Sequence, residues 1–173
     1  MDDEEKAIYD KFLGDIARIL TGLRGPLGIN MQNPKLGQME SNLNRYLRLN
    51  TGIEARIREL AILTVAREMD SEFEWAAHES EAIKEGLEEN IINTIKHRKR
   101  VKELDAKEAI IIKLGREIFR KKKVSSDTYA LALNIFGRVM LVNIIALMAN
   151  YTATAVKLRV FNNQTGHYPI LPR

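Results

Sequence analysis

Apolar residues recur along this chain at the three- and four-residue spacing of helices, and no run alternates as a half-buried strand does. The pattern predicts a first amphipathic helix over residues 3–23, with Ile8, Phe12, Ile16, Ile19 and Leu20 on one side. It breaks in the glycine- and proline-rich stretch GLRGPLGINMQNP, which reads as a loop. A second helix is expected from Pro34, a residue suited to a first turn, to about Asn50. The third spans 54–68, and Asp70 and Ser71 offer N-caps for a fourth that ends at Gly86. A short helix over 88–96 follows, then one over 105–120 with Asp105 as its cap and Glu108 in its first turn. Ser125, Ser126 and Asp127 start another that runs to Phe136, where Gly137 marks a break or a kink. The last helix continues to about Phe161 and an irregular tail closes the chain. No repeat and no dividing linker appears, so the expectation is a single all-α domain over residues 1–173, a bundle of about seven or eight helices.

The stretch 139–156 is the most apolar, around most of its circumference. Asn143, Asn150, Thr152 and Thr154 interrupt it and Tyr151 gives it a polar edge, so a buried helix is the better reading than a membrane span of roughly 20 apolar residues. A helix of that kind is buried on several sides, either centrally or against other subunits, and it predicts a homo-oligomer. The acidic start MDDEEK lacks the basic residues and apolar run of a signal peptide, and a soluble cytoplasmic protein is expected.

Composition removes more chemistry than it offers. The 173 residues include no cysteine, which excludes disulfides, thiolate nucleophiles and cysteine-ligated metals. Three histidines, His78, His97 and His167, leave catalysis to carboxylates, a histidine or Lys/Arg. The formal charge of +4 is concentrated in KHRKR at 96–100 and RKKK at 120–123. Each run follows a helix, where cations complement the terminal carbonyls, and no aromatics interleave them, so nucleic acid is not an expected partner. A zinc helix is absent too, because Ala82 stands where the second histidine of H-E-x-x-H belongs. Trp75 in place of a carboxylate three before His78 breaks the di-iron pattern, and the glycine loop lacks the strand and third glycine of a dinucleotide site.

Three proton-transfer groups remain between Arg56 and Ala82. At ~100° per residue, Ala55, Ile62, Leu63 and Ala66 surround Glu59, a setting that strips a carboxylate of hydration unless a cation or donor compensates. Arg56 and Arg58 are near in sequence. Glu74 and His78, four apart, meet on one face of the next helix, which Glu81 and Glu85 continue. Taken singly, these residues read more simply as a buried ion pair beside a solvated helix face; the sharper reading is an acid–base site in which a carboxylate tunes His78.

With RELAILTVARE at 58–68, EFEWAAHESEAIKEGL at 72–87 and RGPLG at 24–28, the chain resembles the carboxymuconolactone decarboxylase family, related to the alkylhydroperoxidase-D-like proteins. Weaker similarity extends over almost the whole length. The peroxidase branch uses a glutamate, two cysteines and a histidine. Glu59 and His78 match the glutamate and the histidine, while Ser71 and Glu74 stand at the cysteine positions, so thiol-dependent peroxide reduction is not expected. The decarboxylase branch carries the same E-W-x-x-H arrangement. The resemblance implies a cofactor-free acid–base enzyme acting on a small carboxylated lactone or related acid, assembled as a homotrimer or homohexamer. It assigns His78 as general acid–base, Glu74 as its tuning partner and Glu59 as holder of a second proton or organiser of an arginine. Arg56, Arg58 or Arg24 would pair with the substrate carboxylate, and Trp75 would wall the pocket. The competing expectation is a non-catalytic oligomeric protein that binds a small ligand.

Overall fold

The computed structural model describes residues 2–15, 25–102, 104–161 and 171–172, and within them every regular element is helical. In chain order these are α1 (Asp3–Asp15), α2 (Pro26–Asn30), α3 (Pro34–Leu49), α4 (Ala55–Glu68), α5 (Glu72–Lys84), α6 (Glu89–Lys96), α7 (Ala106–Arg116) and α8 (Ser126–Val160). The expected all-α bundle is present, with boundaries within a few residues of those read from the sequence. Of the first helix, the part described ends at Asp15, so Ile16, Ile19, Leu20 and Arg24 lie outside the described residues, as does the side chain of Phe12.

Three local readings change. The glycine–proline stretch holds the short helix α2, which Pro26 starts because a proline has no N–H to lose in a first turn. Gly25 before it takes φ +66°, and a Cβ there would collide with the Phe73 ring, so a glycine brings α2 against α5. Asp70 does not cap α5: it sits at φ +49° and gives its carboxylate to Arg67 and Arg98. The seventh helix stops at Arg116 and passes into a π-helical turn, Glu117–Lys121. The caps at Asp105 and Ser125 form as expected, accepting from Lys107 N (2.8 Å) and Thr128 N (3.3 Å).

α4 is the hub. It packs against α5, α6, α7 and α8, and every residue from Glu59 to Arg67 is buried. Leu60, Ile62 and Leu63 are fully buried with Ile111 and Ile112 of α7 and Ile144, Leu147 and Met148 of α8. Removing such side chains from water contributes about 1.5–3 kcal/mol each, so this crossing carries most of the core's stabilisation. The helices approach closely at Gly115 of α7, where a Cβ would fall 2.4 Å from the Thr64 methyl and 3.1 Å from the Met148 side chain.

α3 is inverted. Its inner face offers Gly37, Glu40, Asn44, Leu47 and Arg48, while Leu36, Met39, Leu43, Tyr46 and Leu49 face outward, between 48% and 69% exposed. It is tied to α8 by a polar seam. Asn150 donates to Asn44 (3.1 Å), Asn143 to the Thr51 carbonyl (3.2 Å), and Lys157 to Asn30 (2.7 Å) and Glu40. Of the asparagines that interrupt the apolar run of α8, Asn150 thus faces α3 and Asn143 reaches the Thr51 carbonyl just beyond its end. α8 is broken at Gly137 (φ 73°, ψ 167°), and only 28% of its most apolar window is buried within the chain. By length and composition α8 could cross a membrane, but its polar seam serves another helix.

Adding a methyl at the α4–α7 contact tests this crossing. Gly115→Ala is expected to cost roughly 1–3 kcal/mol in urea denaturation. Adding Thr64→Ser, which removes the colliding methyl, should recover part of the loss; strictly additive costs would show that the close approach is not the cause.

Candidate functional site

The site begins with Glu59, whose carboxylate is fully buried in the second turn of α4. Charge in such a place is tolerated only with partners, and it has three. Oε2 lies 2.6 Å from His78 Nδ1 on α5, Oε1 accepts from Arg58 Nε at 2.9 Å, and Arg48 Nη2 of α3 is 3.7 Å from the same oxygen. Burial pushes the Glu59 carboxyl up, but the hydrogen bonds from His78 and Arg58 and the charges of His78 and Arg48 outweigh it and hold the group below the usual carboxylate range. With Glu59 ionised, Nδ1 is the protonated nitrogen, so Nε2 of a neutral ring carries the lone pair.

Nε2 faces Glu74. The i, i+4 spacing on α5 brings Oε2 to 3.7 Å, too far for a hydrogen bond. Glu74 is buried and makes no hydrogen bond among the described residues. Burial dominates its titration and pushes its carboxyl up, against the opposing charges of His78, Arg48 and Lys157. The two carboxylates on either side of one imidazole are therefore driven in opposite directions. Glu59 is kept ionised by its donors, and Glu74 is favoured as the neutral acid by its dry surroundings. An acid and a base held apart in this way can give and take a proton at the same place.

Two further side chains belong to the cluster. Tyr151 of α8 packs edge-on against the imidazole, with ring centroids 5.1 Å apart and an interplanar angle of 82°. Its phenol is raised by burial and by Glu74 and Glu59, so it stays a neutral hydroxyl, and it makes no hydrogen bond among the described residues. Arg48 has a buried Nε without a hydrogen-bond partner. Arg58 continues the line outward, reaching the Arg48 carbonyl (3.2 Å) and the half-exposed Glu85 (3.5 Å). Glu85, Arg58 and Glu59 thus lead from the surface to the imidazole.

Glu59, Glu74, His78 and Arg58 are brought together as the sequence expects, with the carboxylates exchanged in role: Glu59, not Glu74, grips the imidazole. Arg56 goes elsewhere. Its guanidinium clamps Glu108 (2.5 Å), Glu88 and the Gly86 carbonyl, joining α4 to the loop before α6 and to α7. Glu108 stands in the first turn of α7, as expected, and gives its carboxylate to Arg56. Trp75 is fully buried in the main core under Lys96 Nζ of α6, 5.7 Å from the ring. Its place is explained by core packing, and its indole N–H has no hydrogen-bond partner among the described residues. Arg24 lies outside the described residues. Among the described residues no three His, Asp or Glu side chains converge as a metal cage would need.

Opposite pKa directions give opposite pH signatures. The depressed carboxyl of Glu59 contributes stability present above its ordinary value of 4.5 and lost as pH falls through the lower folded value. The raised carboxyl of Glu74 stabilises below 4.5 and its contribution is lost as pH rises through the higher folded value. Melting curves should then show Glu59→Gln less stable than the parent at neutral pH. Glu74→Gln should match the parent in acid and exceed it at neutral pH; a Glu74→Gln chain weaker than the parent at neutral pH would mean that the ionised carboxylate is itself a structural partner. No family model, curated protein or solved structure matches this chain.

Proposed function

We propose that the chain is a cofactor-free acid–base enzyme acting on a small organic acid, of the carboxymuconolactone decarboxylase type that RELAILTVARE and EFEWAAHESEAIKEGL resemble. The observation that carries the reading is the 2.6 Å contact of Glu59 with His78 Nδ1, which leaves Nε2 turned toward a second buried carboxyl. A structural ion pair needs only the first contact. The second places a carboxyl whose proton affinity burial raises beside Nε2 of a fixed imidazole.

In this mechanism the substrate carboxylate is held by Arg48, whose buried Nε has no hydrogen-bond partner among the described residues. As the carbon–carbon bond to the carboxylate breaks, carbon dioxide leaves and the electron pair passes into the conjugated lactone. Glu74 delivers its proton to the carbanionic carbon, giving carbon–hydrogen in place of carbon–carboxylate with net uptake of one proton. His78, fixed by Glu59, passes a proton from solvent to Glu74, and the Tyr151 hydroxyl is a neutral donor for the lactone oxygen. Cytoplasmic location is part of the same reading.

Self-association belongs to it as well. Val139, Val142, Ala146, Ala149, Ala153, Val156 and Val160 repeat at alternating steps of three and four along α8, and all but the half-buried Ala146 are exposed. Because Asn150 points to α3 and Asn143 to the Thr51 carbonyl just beyond it, this stripe runs beside the outward stripe of Leu36, Met39, Leu43 and Tyr46. One stripe is bulky and the other small, so the face is complementary to itself and suits packing against further copies, in a homotrimer or homohexamer.

Turnover of carboxylated muconolactones and related acids by the chelator-treated protein is the direct measurement. His78→Ala is expected to lower it by at least ~100-fold with the fold intact. Tight binding of such acids without turnover across a broad panel would instead make the chain a ligand-binding protein. For assembly, Ala149→Glu and Leu43→Glu should each shift the protein to monomer in sedimentation velocity; a parent that is already monomeric would overturn the packing of copies.

A further inference from the structure

The basic runs at 96–100 and 120–123 each follow a helix, but the fold brings them to one place. The buried carboxylate of Glu68, last residue of α4, is where they converge. Oε1 lies 3.8 Å from Arg98 Nε and 3.9 Å from Arg116 Nε, and Oε2 lies 2.6 Å from Arg120 Nε. Arg116 ties the first run further, donating to the Lys99 carbonyl (2.7 Å) and the Thr94 carbonyl (3.1 Å). Each run passes through a left-handed residue, Arg98 (φ 53°) and Lys122 (φ 52°), a conformation that costs roughly 1–2 kcal/mol without glycine. Each loop is thus held in shape against a local preference.

Charge is heavily polarised as a result. The two runs with Arg67 and Arg116 place ten cations here, and the carboxylates that face them are Glu68, Asp70, Glu79 and Glu117. That local excess of six is larger than the formal +4 of the whole chain, so the rest of the molecule is net negative. Burial first, and then neighbouring arginines, pull Arg67 and Arg116 below the ordinary guanidinium value. The buried carboxylate of Glu68 and the exposed one of Asp70 hold the inner arginines in place, while Lys99, Arg100, Lys122 and Lys123 are exposed and have no acidic partner among the described residues.

We propose that this face binds the phosphate backbone of a nucleic-acid duplex without reading its sequence. The free cations are spread over two loops and do not surround one buried pocket, which suits a repeating polyanion and not a single phosphate. No large apolar side chain between 96 and 124 is among the strongly exposed ones, so nothing here would enter a bilayer or stack on unpaired bases. A duplex partner departs from the expectation drawn from each run alone: a single run serves a helix end, but two runs joined through Glu68 make a field. The face lies about two turns along α4 from Glu59 and is independent of the proposed chemistry.

Fluorescence anisotropy of a labelled mixed-sequence DNA duplex with the full chain tests it. Binding is expected at low salt, with log K falling linearly in log salt at a slope of about 3–4 if the four free cations each meet a phosphate. Lys122→Glu with Lys123→Glu, and Lys99→Glu with Arg100→Glu, should each weaken binding at least ~tenfold, and the corresponding Gln variants should weaken it less. Lys84→Glu, at the far end of α5, and His78→Ala should bind as the parent does. Absence of binding at low salt would overturn the proposal. So would affinity indifferent to both pairs in variants of unchanged circular dichroism, or a preference for phosphatidylserine vesicles over the duplex.

Discussion

Burying one carboxylate in the second turn of the helix against which α5, α6, α7 and α8 all pack is the constraint around which this fold is organised. Glu59 has no exposure, and an ion of that kind is several kcal/mol out of balance unless its surroundings answer it. The answer comes from three helices: His78 on α5, Arg58 from α4 itself and Arg48 on α3. α5 and α3 are thereby fixed relative to α4 by direction as well as by apolar contact. The hydrophobic crossing of α4, α7 and α8 supplies stability, but it is tolerant of small rotations in a way that a 2.6 Å hydrogen bond is not.

That division explains what was legible in the sequence. Helix positions follow from apolar spacing and caps, and most were readable within a few residues; α2 was hidden because Gly25 and Pro26 signal a break and a helix start at once. The Glu59, Glu74 and His78 constellation was visible because two of its members are neighbours on one helix and the third sits among apolar residues. Arg48 and Tyr151 were not, since α3 and α8 reach the site only by packing. Tyr151 carried a faint signal as a phenol inside an apolar run. Arg56 misled for the opposite reason. Its nearness to Glu59 along the chain says nothing about Glu88 and Glu108, which meet it from elements far away in sequence.

A second theme is that the two buried acids of α4 serve different purposes. Glu59, in the second turn, organises groups of matched and opposing acidity. Glu68, at the C-terminal end, faces a surplus of arginines and leaves their outer neighbours unneutralised. The same device, a carboxylate removed from water and surrounded by cations, yields a balanced cluster in one case and a strongly positive surface in the other. The difference lies in how many cations each carboxylate has to answer.

The polar seam between α3 and α8 has a consequence for how this protein can vary. Apolar contacts tolerate exchange of one side chain for another of similar volume, so positions in the α4–α7–α8 crossing can drift singly. Asn44 with Asn150, and Glu40 with Lys157, match donor to acceptor or charge to charge, and loss of one strands the other in a half-buried place. Substitution along this seam is therefore a two-step affair in which the intermediate is worse than either end. α3 and α8 are bound to change as a couple or to stay as they are.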